Sequence, residues 1–256
     1  MNIIGIIPAR LASSRLPNKP MADILGIPMI GHVYHRSKMS ETLSEVYVAT
    51  CDEEIKDYIE SIGGKVIMTN NQHERASDRT AEALLKIEEL TGKKVDIVVM
   101  IQGDEPMVTP NMIGAAIQPL ISSADIQITN LMERIETHEE HKDPAEVKVV
   151  VDVNDFALYF SREPIPSRKK GVKEVPMLKQ VCIIPFRRDF LLEYNSMEQT
   201  PLEIIESVDM NRLLENGIKI KMVMCEEITL AVDTKEDLIR VKALMENDEF
   251  LNLYLN

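Results

Sequence analysis

The first part of the chain alternates between short apolar runs rich in β-branched residues and longer segments in which apolar residues recur at helical spacing. Strands are predicted at 3–9, 45–50, 65–69 and 96–101. The helical segments between them cover 28–39, 52–63 and 77–90. Because parallel strands are joined by crossovers of this kind, the alternation predicts βαβ units and an α/β fold, in which ligands bind at the carboxyl ends of the strands.

The second part of the chain predicts a mixed, partly antiparallel arrangement. A hairpin is predicted at 145–168, with Asn154 and Asp155 at its turn. The later segments are predicted as a strand and a helix at 180–194, a helix at 205–217, a strand at 218–227 and a helix at 234–247. Thr234 is the expected N-cap of the last helix. We expect this part to extend the first one instead of folding independently.

Acidic residues outnumber basic ones, and the formal net charge is −13. This excess argues against nonspecific binding to nucleic acid or to an anionic membrane surface. No apolar run approaches the roughly 18 residues of a membrane-spanning helix. Met1 leads directly into a predicted strand, without the features of a signal peptide. We therefore expect a cytoplasmic protein without membrane insertion and with no nucleic-acid partner.

The cysteines are Cys51, Cys182 and Cys225, an odd number at wide spacing without neighbouring histidine ligands. This pattern argues against a disulfide framework and against a zinc site. We expect three ordinary thiols, buried or partly buried.

A loop with three cations follows the first predicted strand. Arg10, Arg15 and Lys19 lie in a stretch that contains no acidic residue. Arginine offers a planar fork for phosphate oxygens and lysine a point charge, so the loop could bind a polyphosphate. It could also be an ordinary solvated loop, and it matches neither the P-loop nor the dinucleotide-binding glycine pattern. Taken alone, the loop predicts an anion site and nothing more specific.

Two aspartates are candidate metal ligands. Asp104 lies in QGDEP, directly after the fourth predicted strand, and Asp233 precedes the last predicted helix. Mg²⁺ in proteins favours one or two carboxylates together with phosphate oxygens and waters. Each aspartate also has a simpler interpretation, because QGDEP contains turn dipeptides and Asp233 could cap the helix.

Three more polar residues are candidates for ligand contacts. Ser77 is a good N-cap for the helix at 77–90, and it could also donate to a ligand. Arg79 lies in the first turn of that helix, where a cation opposes the helix dipole unless an anion offsets it. Arg162 directly follows a predicted strand and is a candidate for binding an acidic substrate.

Four segments, in this order, resemble signature stretches of the CMP-Kdo synthetase family (3-deoxy-manno-octulosonate cytidylyltransferases). They are IIPARLASSRLPNKPMADILGIPMI, QGDEPMV, VKVVVDVNDFALYFSREPIP and VDTKEDLIRV. The resemblance spans nearly the whole chain. It implies a nucleotide-diphospho-sugar-transferase-like α/β fold, with a Rossmann-like mixed sheet flanked by helices, and a homodimer. The implied reaction uses CTP, Mg²⁺ and a small acidic sugar, and it yields a CMP-sugar for surface-glycan biosynthesis and pyrophosphate.

The resemblance also implies roles for individual residues. The implied nucleotide site consists of Pro8, Ala9, Arg10, Arg15, Lys19, Ser77, Arg79 and Gln102. The implied catalytic residues are Arg10, Lys19, Asp104 and Asp233, of which the two aspartates would hold the metal. The implied acceptor-binding residues are Arg162, Gln180, Ile184, Asp209 and Met210.

We predict a single cytidylyltransferase domain over 1–256. Its nucleotide-binding core is expected at about 1–145 and 206–256. A smaller β-rich extension at about 146–205 is expected to serve acceptor binding and dimerisation.

The chain departs from the family pattern on the acceptor side. Gln180 and Ile184 stand where the family has His and Tyr, and Asp209-Met210 stand where it has Glu-Gln. Because these changes remove hydrogen-bonding groups for a polyhydroxylated ligand, we predict an acceptor other than Kdo itself, such as an amino- or deoxy-ulosonic acid. A phosphonate or other small acid, another nucleotide base and an inactive nucleotide-binding relative stay open as alternatives.

Overall fold

A computed structural model describes residues 1–13, 15–169, 171–172 and 174–254. The strands of these residues are β1 Ile3–Pro8, β2 Asp23–Ile24, β3 Ile27–Pro28, β4 Glu45–Thr50, β5 Val66–Met68, β6 Ile97–Ile101, β7 Thr129–Arg134, β8 Lys148–Val151, β9 Ala157–Ser161, β10 Leu178–Val181, β11 Ile183–Arg187 and β12 Lys221–Met224. The helices are α1 Met29–Lys38, α2 Glu53–Ser61, α3 Ala76–Thr91, α4 Pro110–Ser122, α5 His138–Lys142, α6 Arg188–Ser196, α7 Pro201–Glu206, α8 Met210–Glu215 and α9 Lys235–Met245. Short 3₁₀ turns cover Lys19–Met21 and Leu251–Leu253.

The main sheet has the strand order β11-β6-β1-β4-β5. The strands β6, β1, β4 and β5 are parallel, and β11 pairs antiparallel with β6 at the edge. These four parallel strands are the ones predicted from the apolar runs, and α1, α2 and α3 occur between them as predicted. The α/β fold with a mixed sheet is therefore confirmed.

Both faces of the main sheet are buried, which explains why β1 is apolar without alternation. Ile4 and Ile6 pack on one side in a cluster that includes residues of α3 and of the second sheet. Ile3 and Ile7 pack on the other side, in a cluster with residues of α1, α2 and α4. All six residues of β1 are buried, so the strand lies at the centre of the molecule and carries the following loop out at its carboxyl end.

The second sheet has the strand order β12-β7-β10-β8-β9. The predicted hairpin is present as β8 and β9, and Asp155 at its turn has a left-handed φ of 55°. The strands β7 and β12 lie outside 146–205, so this sheet also contains strands from both sides of the predicted extension.

The strand predicted at the start of 180–194 is two strands, not one. β10 ends at Val181 and pairs with β7 in the second sheet, whereas β11 begins at Ile183 and pairs with β6 in the main sheet. Cys182 lies at the crossing between the sheets, and its carbonyl accepts a hydrogen bond from the Gln102 N–H at 3.1 Å. An unbroken apolar run does not reveal such a change of sheet, because each half has the same strand pattern.

The helix predicted at 205–217 is also interrupted. α7 ends at Glu206 and α8 begins at Met210, and Ser207 between them adopts a left-handed φ of 51°. Helical spacing of apolar residues continues across the break, which is why periodicity alone predicts one helix. The break is important for the site, because it turns Ser207 and Asp209 toward a cavity.

The predicted caps have different outcomes. Thr234 caps α9 as expected, since its hydroxyl oxygen accepts a hydrogen bond from the Asp237 N–H at 3.1 Å. Ser77 does not cap α3, because the helix begins at Ala76 and Arg75 occupies the N-cap position. The Ser77 hydroxyl instead donates to Asp209 at 3.2 Å.

No helix in the described part of the chain is long and apolar enough to cross a membrane. The three cysteines are free thiols, as expected, and Cys225 is buried while Cys51 and Cys182 are partly buried.

Residues near the C-terminus are held against α1 by polar contacts. The two ring nitrogens of His32 lie 2.8 Å from the Tyr254 hydroxyl and 2.8 Å from the Ile24 carbonyl oxygen. His35 stacks on the Tyr254 ring, and Arg36 forms an ion pair with Asp248 at 2.9 Å. Burial lowers the pKa of His32 to about 4, because the charged imidazolium would lose its hydration.

We expect His32 to make the protein less stable in mild acid. Its pKa is lower in the folded state than the ordinary value of 6.5, so the unfolded chain binds more protons between these pH values. Stability is therefore retained above pH 6.5 and lost as the pH falls toward 4, by about 2 kcal/mol between pH 7 and pH 5. The measurement is urea unfolding at both pH values.

In that experiment His32→Gln should show a smaller loss of stability between pH 7 and pH 5 than the unaltered protein. His138→Gln is the matched control, because His138 is exposed and lies outside this cluster. An unchanged loss in His32→Gln would contradict the assignment.

Candidate functional site

A cavity of about 450 Å³ opens at the carboxyl ends of β1 and β6. This is the position expected for a ligand site in an α/β sheet. Its lining in the described part of the chain consists of Pro8, Ala9, Arg10, Ala12, Ser13, Arg15, Lys19, Pro20, His73, Glu74, Arg75, Ala76, Arg79, Gln102, Gly103, Asp104, Ser207, Asp209 and Asp233. The structure thus brings together loops that are far apart in the sequence.

The three cations of the first loop all line this cavity. The Arg10 guanidinium donates to the His73 carbonyl oxygen at 3.3 Å, which joins the first loop to the segment before α3. Arg15 forms an ion pair with Asp233 at 3.1 Å. Three cations on the lining of one cavity supply donors for an anionic ligand, and two of them also pair with Asp233.

Lys19 joins the two predicted metal ligands. Its Nζ lies 2.7 Å from Oδ2 of Asp104 and 2.9 Å from Oδ1 of Asp233. Asp104 follows β6, and the Val232 N–H donates to the Asp104 carbonyl oxygen at 2.9 Å, which fixes the chain of Asp233 beside it. Burial disfavours the charge of Lys19, but attraction to Asp104 and Asp233 outweighs this and the pKa of Lys19 is raised.

The aspartate pair fits a divalent cation of the Mg²⁺ type. Two carboxylates converge on one positively charged group, and Lys19 shows that a cation is accommodated between them. No group of three or more His, Cys, Asp and Glu side chains that could hold a metal occurs among the residues described. Mg²⁺ does not need such a group, since it keeps waters and takes substrate phosphate oxygens as ligands.

Glu105 is a buried residue of the site that sequence reasoning missed. It accepts hydrogen bonds from the Thr229 hydroxyl at 3.0 Å and from the Cys182 N–H at 3.4 Å. Burial raises the pKa of Glu105 to about 7. The side chain therefore ties the loop of Asp104 to the segment that leads to Asp233, and only the tertiary contacts reveal this role.

Arg79 lines the cavity, whereas Ser77 does not. Arg79 is 2% exposed and donates from Nη1 to the Thr69 hydroxyl. Its Nη2 is buried and has no hydrogen-bond partner among the residues that the structure describes. An unpaired buried donor is costly unless a water or a ligand supplies an acceptor. Ser77 is buried behind the lining and contacts Asp209, which does line the cavity.

The remaining predicted acceptor residues lie away from the cavity lining. Ile184 and Met210 are 1% and 0% exposed and belong to a hydrophobic core cluster. Gln180 donates from Nε2 to Oδ1 of Asn130 at 2.6 Å. Their contact with an acceptor stays a prediction.

Arg162 is engaged with the main chain. Its guanidinium donates to the carbonyl oxygens of Glu206 and Pro144, each at 2.7 Å, and of Ser207 at 3.3 Å. The side chain thus holds the interruption between α7 and α8 that turns Asp209 toward the cavity. A direct contact between Arg162 and an acidic substrate stays a prediction.

Comparison with known proteins identifies the family. A family model described as Cytidylyltransferase matches residues 4–220. The 3-deoxy-manno-octulosonate cytidylyltransferase of Trichlorobacter lovleyi is 41% identical to this chain, and the similarity covers 96% of this chain and 99% of that protein. The chain is a member of the CMP-Kdo synthetase family. The same enzyme of Fusobacterium nucleatum is 42% identical, over 94% of this chain and 96% of that protein.

Solved structures agree with this family assignment. A structure described as CMP:2-keto-3-deoxy-manno-octonic acid synthetase complexed with CTP has a TM-score of 0.87 and 38% identity, and it covers 96% of this chain and 98% of that chain. A cytidylyltransferase from Leptospira borgpetersenii has a TM-score of 0.64 at 18% identity, which shows the fold alone. The chain is therefore a cytidylyltransferase with the nucleotidyltransferase-like α/β fold.

The sequence predicted that the cations of the first loop and the two aspartates belong to one site, and all of them line the cavity, but it missed other lining residues. Arg75, Ser207 and Glu74 line the cavity although none of them was predicted. Glu74 and Arg75 lie in the segment HERASDR, from which only Ser77 and Arg79 were predicted. Ser207 had no signal, because its position depends on the interruption between α7 and α8.

Proposed function

We propose that this cytidylyltransferase transfers CMP from CTP to a small ulosonic acid of the Kdo class and releases pyrophosphate. The observation that carries the proposal is the contact of Lys19 with both Asp104 and Asp233, on a cavity also lined by Arg10 and Arg15. This combination suits a triphosphate and a divalent metal. The names of the relatives and the CTP complex of the similar structure support the choice of nucleotide and acceptor class.

In this proposal the residues of the chain work by positioning and by neutralising charge, as is usual in nucleotidyl and phosphoryl transfer. Arg10, Arg15 and Lys19 bind the triphosphate, and Asp104 and Asp233 hold Mg²⁺. When bound, Mg²⁺ neutralises negative charge on the phosphate groups. A protein nucleophile is not needed, and burial raises the pKa of the nearby Cys182 thiol well above its ordinary value, so that thiol stays protonated.

We further propose that the preferred acceptor differs from Kdo at one or more of its hydroxyl groups. Asp209 is the predicted acceptor residue that lines the cavity, whereas Gln180 is already bonded to Asn130. Ile184 and Met210 offer no hydrogen bonds. An amino- or deoxy-ulosonic acid would leave fewer ligand hydroxyls unpaired in such a site. The homodimer, the cytoplasmic location and the extension at about 146–205 stay predictions.

The test is pyrophosphate release with Mg²⁺, each of the four nucleoside triphosphates and a panel of acids. The panel contains Kdo, its amino and deoxy variants, and a phosphonate. We expect turnover with CTP, and kcat/KM for a variant acid at least about tenfold higher than for Kdo. Efficient use of Kdo would contradict the acceptor proposal, and preference for the phosphonate would reassign the acceptor class. No turnover with any acid would indicate an inactive relative.

A further inference from the structure

We propose that Arg75 binds the carboxylate of the acid acceptor. The inference deepens the proposed function, because it assumes that the cavity receives an acidic sugar beside the nucleotide. Arg75 lies at the N-cap of α3 and lines the cavity together with Ser207 and Asp209. Its Nη2 lies 3.6 Å from Glu203 of α7, so it is close to the interruption between α7 and α8 that carries Ser207 and the predicted acceptor residue Asp209.

The donors of Arg75 are free to bind a ligand. The nearest carboxylate is Glu203, whose Oε1 is 3.6 Å from Nη2 of Arg75, too far for a normal hydrogen bond. No side-chain hydrogen bond of Arg75 occurs within the described ranges of the chain, and its side chain is 24% exposed. A partly buried guanidinium with unused donors is suited to a planar carboxylate, to which it can donate two parallel hydrogen bonds.

Three other cations of the cavity are already engaged: Arg10 donates to the His73 carbonyl, Arg15 pairs with Asp233, and Lys19 contacts both aspartates. Arg79 is only 2% exposed, and its unpaired Nη2 is buried, so it is less accessible to an incoming carboxylate than Arg75. Arg10, Arg15 and Lys19 also lie on the side assigned to the triphosphate, so a second anion needs a different cation.

Arg162, the residue predicted for the acidic substrate, does not supply this cation. All three nitrogens of its guanidinium donate to carbonyl oxygens of residues 144, 206 and 207. Those contacts would have to break before Arg162 could bind a ligand. Arg75 needs no such rearrangement, and on this ground we assign the carboxylate to it.

Asp209 does not neutralise Arg75 fully. The two groups attract each other, but burial raises the pKa of Asp209 and so opposes its charged form. The positive charge near Arg75 is therefore available to an incoming carboxylate, and the Asp209 carboxyl is left to contact a hydroxyl or amino group of the same ligand.

Removal of Arg75 should leave the fold intact. Glu203 is already held by Arg212, through contacts of 2.7 Å from Nε and 2.6 Å from Nη2. The loss of a contact at 3.6 Å does not leave this buried carboxylate without a partner. Variants at position 75 therefore report on ligand binding.

The experiment compares an acid with its methyl ester, because the ester keeps the shape of the ligand and loses its negative charge. The probe is the acid of the panel that is turned over fastest, or Kdo if none is turned over. The acid-to-ester ratio of kcat/KM, and of affinity measured by calorimetry with CTP present, is determined for the unaltered protein, Arg75→Met and Arg75→Lys. Arg134→Met is the matched control, because Arg134 is an exposed arginine that does not line the cavity.

We expect the unaltered protein and Arg134→Met to prefer the acid by about 10- to 100-fold, and Arg75→Met to lose most of this preference. Arg75→Lys should retain part of it, and the KM for CTP should stay the same. A retained preference in Arg75→Met, or none in the unaltered protein, would overturn the inference. Another outcome is that no acid is turned over but the unaltered protein binds the acid more tightly than the ester and Arg75→Met does not. In that case the proposed function fails and the role of Arg75 stands. If the protein binds no acid at all, both fail.

Discussion

Replacement of Asp104 by asparagine is expected to lower kcat/KM by at least about 10³-fold while the protein stays folded. Asparagine has nearly the same shape as aspartate but no negative charge. The change therefore removes one of the two carboxylates proposed to hold Mg²⁺, and it weakens the contact of 2.7 Å with Lys19. Because Asp104 lies on a loop at the end of a fully buried strand, its main-chain contacts, including the hydrogen bond from Val232, do not depend on the side chain.

The measurement is CTP-dependent pyrophosphate release over a range of Mg²⁺ concentrations, together with thermal unfolding. Asp125→Asn is the matched control, since Asp125 is exposed and lies outside the cavity. A metal ligand predicts that the defect shrinks as Mg²⁺ increases, whereas a purely structural role predicts a lower unfolding temperature and no such dependence. Near-normal activity in Asp104→Asn would contradict the metal assignment.

Replacement of Arg212 by methionine is expected to destabilise the protein by about 3–5 kcal/mol. Arg212 and Glu203 form a bidentate ion pair with contacts of 2.7 and 2.6 Å, and Glu203 is 0% exposed. Removing the arginine leaves a buried carboxylate without its main partner, which costs far more than the net contribution of the pair. Arg75, at 3.6 Å from Glu203, can compensate only in part.

Urea unfolding measures this effect. The double variant Glu203→Leu with Arg212→Met should recover most of the lost stability, because no buried charge remains unpaired. Arg240→Met serves as the control for loss of an exposed arginine. A destabilisation below about 1 kcal/mol in Arg212→Met would show that the pair is less buried in solution than in this structure.

The ion pair links α7 to α8, and Asp209 lies between these two helices. A milder variant such as Arg212→Lys should therefore shift Asp209 and weaken acceptor binding.

The parallel part of the main sheet could be predicted from the sequence because its strands are buried on both faces. Such strands are short, continuous apolar runs, and helices of 9 to 16 residues separate them. The convergence of the first loop with Asp104 could be predicted for a related reason. Arg10, Arg15 and Lys19 lie in the segment after β1 and Asp104 lies in the loop after β6, and the carboxyl ends of neighbouring parallel strands meet at one edge.

The acceptor end could not be predicted in the same way. Gln180 and Ile184 belong to one apolar run in the sequence but to different sheets in the structure, one on each side of Cys182. The left-handed conformation of Ser207 divides a helix that periodicity predicts as continuous. The main-chain contacts of Arg162 depend on residues 44 and 45 positions away, so a cation after a strand does not reveal whether its donors are free.

The sequence by itself determined the α/β class, the family and which cations and carboxylates are candidates for the site, because these depend on local periodicity and on short motifs. Only the tertiary structure decided that Lys19 joins Asp104 to Asp233, that Arg162 holds the main chain and that Arg75 keeps its donors free. Each of these depends on which distant groups lie within hydrogen-bond distance of a side chain in the folded protein. A local sequence pattern does not encode those distances.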